Sequence, residues 1–330
     1  DIEEVGTALD PIIAVDKIKK LQPDVLTLDI EMPRMDGLTF LSKLMIASPL
    51  PVIMVSSKTE YGAVETLKAL EYGAVDFILK PSLEDESAAK EFSDLLQEKI
   101  RMAANSKSRK KILPKVQETP IPLMKKHSAD VILQKKDPLK IKARSEKIIA
   151  IGASTGGTEV IDHILSSLKD DLPGIVITQH MPEKFTEAFA NRVDAKSKLS
   201  VKEAKNGDRI YKGMAFIAPG GKHMLLRLDS SGYYIEINDG PPVNRHKPSV
   251  DVLFRSVSQC AGKYAIGIIC TGMGNDGAAG LLEMKESGAF TIAQNEESSV
   301  VYGMPKEAVK LEAVQEETDV EGIINFINEI

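Results

Sequence analysis

Residues 152–157 read Gly-Ala-Ser-Thr-Gly-Gly and directly follow the apolar run IIAI of residues 148–151. This order predicts a buried strand that ends in a glycine-rich turn just before a helix. Such a turn presents the Ser154 hydroxyl at the carboxyl edge of a parallel sheet, close to main-chain N–H groups. A serine hydroxyl alone is a weak nucleophile, so the chain must supply a base and an orienting acid elsewhere.

Two further apolar segments end in side chains suited to those roles. GIVITQH ends at His180, and AIGIICT leads into a loop that carries Asp276. The carboxyl ends of parallel strands share one edge of a sheet, so we expect Ser154, His180 and Asp276 to meet there as nucleophile, general base and orienting acid. The other histidines do not close a strand in this way, although two of them follow turn sequences and are interpreted as structural or substrate-contacting residues: His223 and His246.

Two alternative interpretations compete with this one. Residues 152–156 fit the G-x-S-x-G turn of α/β-hydrolases, but in that fold the acid precedes the histidine, whereas here His180 precedes Asp276. Residues 272–277 fit G-x-G-x-x-G, with Glu296 following about 20 residues on, as in dinucleotide-binding units. A carboxylate at position 276 would repel a pyrophosphate there, so we favour a hydrolase on a different doubly wound fold while nucleotide binding stays open.

Strand and helix patterns also alternate in the first hundred residues. Three apolar segments, DVLTLD, PVIMVSS and AVDFILK, place Asp29, Ser56 and Lys80 at or next to their carboxyl ends. This alternation predicts an open parallel sheet whose crevice collects the three side chains. A carboxylate, a hydroxyl and an ammonium group at one rim suit phosphoryl transfer, in which the carboxylate accepts the phosphoryl group.

Charge divides the chain into three parts. Residues 1–104 carry 11 basic and 19 acidic side chains, residues 105–147 carry 13 and 4, and residues 148–330 carry 18 and 25. The middle part holds four prolines and no aromatic residue, which predicts a solvated linker rather than a surface for nucleic acid. A DNA-binding output is the remaining alternative, and the acidic third part with no helix-turn-helix pattern argues against it.

The composition indicates a two-domain globular protein of 330 residues. Cys260 and Cys270 match no zinc pattern and no disulfide framework, which favours a reducing compartment. No apolar stretch reaches the length of a membrane span and no secretory segment opens the sequence. We therefore expect a cytoplasmic protein that is not inserted in a membrane.

The first part resembles the receiver domains of two-component response regulators, through LTLDIEMPRMDG, VIMVSS and FILKP. The resemblance implies a flavodoxin-like parallel sheet, phosphorylation by a histidine kinase, and Mg²⁺ as the cation for that transfer. It assigns phosphorylation to Asp29, the switch hydroxyl and aromatic positions to Ser56 and Phe77, and the neighbouring ammonium group to Lys80. Receivers usually open with a strand that ends in an acidic pair, whereas this chain opens with DIEEVGTALDP, which resembles the second strand. The receiver is thus expected to be N-terminally incomplete, with Asp29 as a partial Mg²⁺ site.

The third part resembles the catalytic domain of the CheB family of chemotaxis protein-glutamate methylesterases. The resemblance rests on GASTGG, ITQHMPEKFTEAFANR, FIAPGGKHM, DGPPVNRHKPSVDVLF, TGMGNDGAAGL and AQNEESSVVYGMP. It implies a doubly wound, Rossmann-like α/β esterase domain with a Ser154–His180–Asp276 triad, an oxyanion donor at Met273 and assistance from Thr155.

The same resemblance implies the substrate and its control. The substrate would be glutamate methyl esters on methyl-accepting chemoreceptors, with deamidation of receptor glutamines as a second reaction and no cofactor for either. The unphosphorylated receiver is expected to pack over the active-site face, and phosphorylation of Asp29 to release it.

Overall fold

The protein is described by a computed structural model that covers residues 2–32, 34–57, 59–81, 86–105, 127–136 and 145–330. The chain separates into two compact units, Asp1–Glu118 and Thr119–Ile330. Most of the linker predicted for residues 105–147 lies outside the described residues. Within the described residues, no helix has the length and apolar character that crossing a membrane requires.

In the described residues, the first unit consists of a parallel sheet whose strands alternate with helices along the chain. Its strands and helices, in chain order, are α1 (Pro11–Leu21), β1 (Leu26–Asp29), α2 (Gly37–Ala47), β2 (Val52–Ser56), α3 (Glu60–Glu71), β3 (Asp76–Leu79) and α4 (Glu86–Asn105). The sheet order is β1-β2-β3, and both pairings are parallel. The predicted strand–helix alternation is therefore confirmed. In the central strand β2, every residue except the half-buried Val55 is buried.

Helix α1 begins where the sequence predicts. Asp10 Oδ1 accepts hydrogen bonds from the N–H groups of Ile12 and Ile13, and Pro11 occupies the first helical position. One prediction is wrong, because residues 2–8 form no strand. A strand requires a hydrogen-bonded neighbour, and within the described residues none pairs with this segment.

The second unit is a doubly wound α/β domain. Its strands are β4 (Ile148–Ala153), β5 (Gly174–Gln179), β6 (Ser200–Glu203), β7 (Met214–Ile217), β8 (His223–Asp229), β9 (Gly232–Asn238), β10 (Ala265–Ile269), β11 (Phe290–Gln294) and β12 (Glu316–Thr318). Its helices are α5 (Gly157–Ser167), α6 (Phe185–Asp194), α7 (Val250–Ala261), α8 (Ala278–Glu286), α9 (Met304–Lys310) and α10 (Val320–Asn328). Short 3₁₀ turns lie at Ala129–Val131 and Gly262–Tyr264.

Seven of these strands form one parallel sheet in the order β12-β11-β10-β4-β5-β7-β6, while β8 and β9 form an antiparallel ribbon. Every residue of the central strand β4 is buried, as expected for a strand covered on both faces. The chain winds to one side of β4 through β5 and to the other side through β10. A doubly wound sheet keeps its site at this reversal, outside the carboxyl ends of the strands.

Residues 127–136 differ from the solvated tether that the sequence predicts. They pack against α7 and the loop before it, where Ala129 joins an apolar cluster with Leu225, Val243 and Val252. The Arg255 guanidinium donates to the main-chain carbonyl of Leu133 (2.9 Å). The contacts of Ala129, Ile132 and Leu133 with this apolar surface outweigh the polar composition of the segment, because composition does not report which surface is available nearby.

Candidate active site

Three strand ends meet at the middle of the large sheet. Ser154 follows β4 directly, His180 follows β5, and Asp276 lies in the loop after β10. The Ser154 N–H donates to the Thr271 carbonyl (3.0 Å) and the His180 N–H donates to the Ala153 carbonyl (3.1 Å). These bonds continue the sheet ladder beyond the strands, so the strand ends are held next to each other at the carboxyl edge of the sheet.

The loop after β10 passes directly against the serine. A Cβ atom built at Gly272 would lie 2.7 Å from the Ser154 Cβ and would also overlap the Met304 Sδ. Gly272 also accepts hydrogen bonds from the N–H groups of Gly303 and Met304. Only a residue without a side chain allows the main chain to approach the serine this closely.

Gln179 ties the two neighbouring strand ends together. Its side-chain Nε2 donates to the Ser154 carbonyl (2.8 Å) and to the His180 carbonyl (3.3 Å). The sequence interpretation passed over Gln179 because a glutamine at the end of an apolar strand carries no catalytic signal.

His180 and Asp276 form a buried pair. The His180 Nε2 lies 2.8 Å from the Asp276 Oδ2, with side-chain exposures of 7% and 0%. Because an ionised carboxylate only accepts hydrogen bonds, Nε2 carries the proton and donates it. The other ring nitrogen, Nδ1, is buried and has no hydrogen-bond partner among the described residues. Nδ1 is therefore the nitrogen left to accept a proton from a nucleophile.

The surroundings of Asp276 favour its charged form. Burial alone raises the pKa of this carboxyl, but the hydrogen bond and charge of His180, the charge of His246 and the hydrogen bond from Asn244 outweigh it. The net result is a pKa well below the ordinary value. The carboxylate also lies at the N-terminus of α7, where it accepts from the N–H of Val250 (2.7 Å), an arrangement that stabilises an anion.

The sequence did not decide whether His223 and His246 are structural or contact the substrate, and the structure places them differently. The His246 ring stacks on the His180 ring, with centroids 3.7 Å apart and planes 9° from parallel. His223 is buried, bonded to the Ser249 N–H through Nδ1 (3.2 Å) and to the Pro241 carbonyl through Nε2 (3.0 Å). Burial lowers the pKa of His223, so this histidine is a neutral structural link, whereas His246 belongs to the site.

A second buried carboxylate, Asp251, lies next to Asp276. Its Oδ1 accepts from the Gly280 N–H at the start of α8 (2.6 Å) and its Oδ2 accepts from the Asn244 side chain (2.6 Å). Burial and the charge of Asp276 raise the pKa of Asp251 to about 7. Sequence reasoning missed Asp251 and Asn244, because an acid in the first turn of a helix and an asparagine in a turn are both common local choices.

The two residues predicted to stabilise the oxyanion, Thr155 and Met273, lie in the two loops that meet at Ser154. Thr155 is buried, and its carbonyl accepts from the Thr271 hydroxyl (3.0 Å). Met273 lies between Gly272 and Gly274 in the loop that passes the serine. The donor role of both residues stays a prediction.

The first unit brings together two of its four predicted residues. The Lys80 Nζ lies 2.6 Å from the Asp29 Oδ2, with both side chains partly exposed at the carboxyl edge of the sheet. The Ser56 hydroxyl, by contrast, is buried and accepts a hydrogen bond from Thr66 of α3 (2.8 Å). Phe77 lies buried within β3. An anionic acceptor and a cation thus share one rim, while the hydroxyl and the ring face the interior.

The described residues do not assemble a complete cation site around Asp29. Among them, no group of three or more His, Cys, Asp or Glu side chains is placed to hold a metal ion. The Asp29 carboxylate instead pairs with Lys80 and accepts from the Glu31 N–H (3.1 Å). The role of Mg²⁺ stays a prediction.

Two family profiles match separate parts of the chain. The profile of the family described as CheB methylesterase matches residues 149–327. The chain belongs to the CheB methylesterase family. The profile of the response regulator receiver domain matches residues 1–90. The predicted family and both predicted fold classes are therefore confirmed.

Relatives of this CheB methylesterase family member cover nearly the whole chain. A Geobacter metallireducens protein named protein-glutamate methylesterase/protein-glutamine glutaminase 1 is 52% identical over 318 residues, which is 96% of this chain and 85% of the relative. A Salmonella typhimurium protein named protein-glutamate methylesterase/protein-glutamine glutaminase is 53% identical over 319 residues, 97% and 86% of the two chains. The Thermotoga maritima CheB methylesterase catalytic domain, a crystal structure, is 34% identical with a TM-score of 0.55, covering 56% of this chain and 99% of that chain.

Family membership decides between the alternatives left open by the sequence. The chain is an enzyme of the CheB methylesterase family, and the prediction of an ester hydrolase is confirmed. The loop that fits a dinucleotide fingerprint instead turns Asp276 inward onto His180 and the start of α7. The helix that follows this loop is α8, and its Gly280 N–H already donates a hydrogen bond to the buried Asp251 carboxylate. A pyrophosphate at the same helix N-terminus would lie beside this carboxylate and be repelled by it.

Proposed function

We propose that this chain hydrolyses glutamate methyl esters on chemoreceptor proteins, with Ser154 as nucleophile, His180 as general base and Asp276 as orienting acid. The observation that carries the proposal is the buried His180–Asp276 pair beside the serine strand end. Within the described ranges, Nδ1 of this imidazole has no hydrogen-bond partner. The names of the relatives supply the substrate, a protein glutamate methyl ester.

In the proposed acylation, the Ser154 Oγ attacks the ester carbonyl while the His180 Nδ1 takes the hydroxyl proton. Asp276 stabilises the resulting imidazolium through Nε2. Main-chain N–H groups near Met273 and Thr155 hold the oxyanion. The carbon–methoxy bond then breaks, and methoxide leaves as methanol with the proton from His180, so a glutamyl-serine ester remains.

In the proposed deacylation, water is the nucleophile and the Ser154 oxygen is the leaving group. Water attacks the glutamyl-serine ester, His180 takes a water proton, and the Ser154 oxygen leaves and recovers that proton. The products are free serine and a glutamate carboxylate. A glutamine side chain undergoes the same steps with ammonia as the leaving group, which accounts for the second activity in the relatives' names. The reaction is proposed to need no cofactor.

Methanol release from methylated receptor tests this assignment. We expect the intact chain to release methanol and the Ser154→Ala variant to release none above background. Ser166→Ala is the matched control, because the Ser166 hydroxyl donates to the His163 carbonyl within the same helix, α5. Methanol release by Ser154→Ala at a rate comparable to the unaltered chain would remove Ser154 from the mechanism.

We also propose that a histidine kinase phosphorylates Asp29 with Mg²⁺ as cation, and that phosphorylation raises the esterase rate. The Asp29–Lys80 pair supports this, since the ammonium group 2.6 Å from the acceptor oxygen would neutralise charge on the incoming phosphoryl group. The esterase reaction is proposed to take place in the cytoplasm, where receptor helices and the kinase are both accessible.

Labelling by a radioactive small phosphodonor, with and without Mg²⁺, tests the second proposal. We expect the intact chain to be labelled, and Asp29→Asn to be neither labelled nor stimulated in methanol release. Asp16→Asn, an exposed position on α1, is the matched control. Labelling that persists in Asp29→Asn would locate the phosphoryl group elsewhere.

A further inference from the structure

Asn244 lies between two buried carboxylates, one of which is the proposed catalytic acid. We propose that Asn244 is a positioning residue for that acid: its side-chain amide bridges the two carboxylates and holds the Oδ1 atom of Asp276 in place, so that the Oδ2 atom stays directed at His180. This inference rests on the proposed function, because it gives Asn244 a role in the same hydrolysis.

The first step of the argument is the geometry of the amide. The Asn244 Nδ2 donates to the Asp276 Oδ1 (2.8 Å) and to the Asp251 Oδ2 (2.6 Å). Both partners accept hydrogen bonds, so the nitrogen and not the oxygen of the amide must face them. An amide nitrogen has two protons, which is the number that this position requires.

The second step is the electrostatic repulsion that the two carboxylates would experience without the amide. Asp276 and Asp251 are 1% and 6% exposed. Two carboxylates that approach each other in a buried site repel strongly, and they are tolerated only where hydrogen-bond donors compensate. Within the described residues, Asn244 is the side chain that bonds both of them.

The third step concerns where the proton resides. Asp276 receives further bonds from the Ser249 hydroxyl (2.8 Å) and the Val250 N–H (2.7 Å), and its pKa is lowered. The pKa of Asp251 is raised to about 7 by burial and by the charge of Asp276. The negative charge is therefore kept on the carboxylate that faces the imidazole. The other titratable groups that face this pair are His180, His223, His246 and Glu283.

The fourth step is the rigidity of the turn that carries the amide. Asn244 adopts a left-handed conformation with φ of 51°, which asparagine accepts more readily than most residues. Its N–H donates to the His127 carbonyl (3.0 Å), and Val243 and His246 pair across the turn. The turn therefore joins the packed segment 127–136 to the active site and holds the amide in place.

The test compares variants of the full chain for kcat and KM in methanol release. We expect Asn244→Ala to lower kcat about 10- to 100-fold with little change in KM, because the acid is misaligned while the substrate surface is intact. Asn244→Asp keeps the shape but adds a third carboxylate, so it should be at least as impaired. Asn206→Ala, which removes an exposed amide bonded to the Ile237 N–H, should match the unaltered chain.

A double variant separates positioning from a loss of packing. In Asn244→Ala combined with Asp251→Asn, the carboxylate that competes with Asp276 is gone, and the new amide can donate to Asp276. We expect this double variant to recover at least half of the loss in log kcat, even though it replaces two native side chains instead of one.

A spectroscopic signal reports the orientation of Asp276 directly. The proton between the His180 Nε2 and Asp276 should give a downfield resonance in histidine-labelled protein, identified by its absence in Asp276→Asn. We expect Asn244→Ala to weaken or shift this resonance and the double variant to restore it. An unaltered resonance in Asn244→Ala, or an unaltered kcat, would overturn the inference. Absence of methanol release from the unaltered chain would refute the proposed function instead, while the resonance would still test Asn244.

Discussion

The His180 Nε2 lies 2.8 Å from the Asp276 Oδ2, while the Nδ1 of the same ring is buried without a hydrogen-bond partner among the described residues. The proton of one nitrogen is thus donated to the acid, while the other nitrogen is buried and accepts no hydrogen bond from the part of the chain that the structure describes. A general base requires this division, because the bond at one nitrogen determines which tautomer the other nitrogen presents.

Replacement of Asp276 by asparagine should keep the shape of the side chain but remove the carboxylate that determines the His180 tautomer. We expect Asp276→Asn to lower kcat for methanol release by about 10³-fold or more, with KM much less affected. Asp229→Asn is the control, since Asp229 pairs with Arg209 at the protein surface. A kcat within about tenfold of the unaltered chain would contradict the assignment of Asp276.

The pH dependence of stability should report Asp251. Its folded-state pKa is raised to about 7, above the ordinary value of 3.8, so the folded chain binds this proton where the unfolded chain has lost it. The stability that Asp251 confers is therefore present at low pH and lost as the pH rises towards 7. The titration of Asp276 lies below this window, because its pKa is lowered.

Asp251→Asn removes this titration. Relative to the variant, we expect the unaltered chain to lose about 2–4 kcal/mol of unfolding free energy between about pH 4 and about pH 8. Denaturant unfolding of both chains across that range measures the difference. Parallel stability curves would show that Asp251 does not titrate there.

A methyl group at Gly272 should displace the nucleophile. The added Cβ would lie 2.7 Å from the Ser154 Cβ, closer than side-chain atoms approach each other. We expect Gly272→Ala to lower kcat/KM at least about 100-fold, because displacement of a reacting group by about 1 Å has effects of this size. Gly207→Ala is the control, because the added atom meets nothing within 4 Å and the left-handed φ of 86° strains only an exposed turn. It should lower stability slightly but retain activity in the same assay.

The buried Arg255 should be important for stability. Its guanidinium bonds Glu283 (2.6 Å), and both side chains are less than 10% exposed. We expect Arg255→Met to cost about 3–5 kcal/mol of unfolding free energy, since it leaves the Glu283 carboxylate buried and unpaired. The more exposed pair of Arg227 and Glu236 is the control, and Arg227→Met should cost about 1 kcal/mol or less.

Much of the site was predictable because its signals are local. An apolar run followed by a glycine-rich turn predicts a buried strand and identifies the residue that follows its carboxyl end. In parallel sheets such ends share an edge, so the positions of Ser154, His180 and Lys80 followed from strand patterns alone. The prediction was wrong at residues 2–8, where a strand pattern has no neighbouring strand to pair with, because pairing is not a local property.

The sequence by itself determined the parallel α/β class of both units and the strand ends that carry the proposed nucleophile, base and phosphoryl acceptor, since these depend on residue order and periodicity. Only the tertiary structure decided that Asn244 bridges Asp251 and Asp276, that His246 stacks on His180, and that residues 127–136 pack against α7. The last of these contacts includes the bond from Arg255 to Leu133, which are 122 positions apart. Contacts at such separations arise from how the packed layers meet in space, and no periodicity in the sequence encodes them.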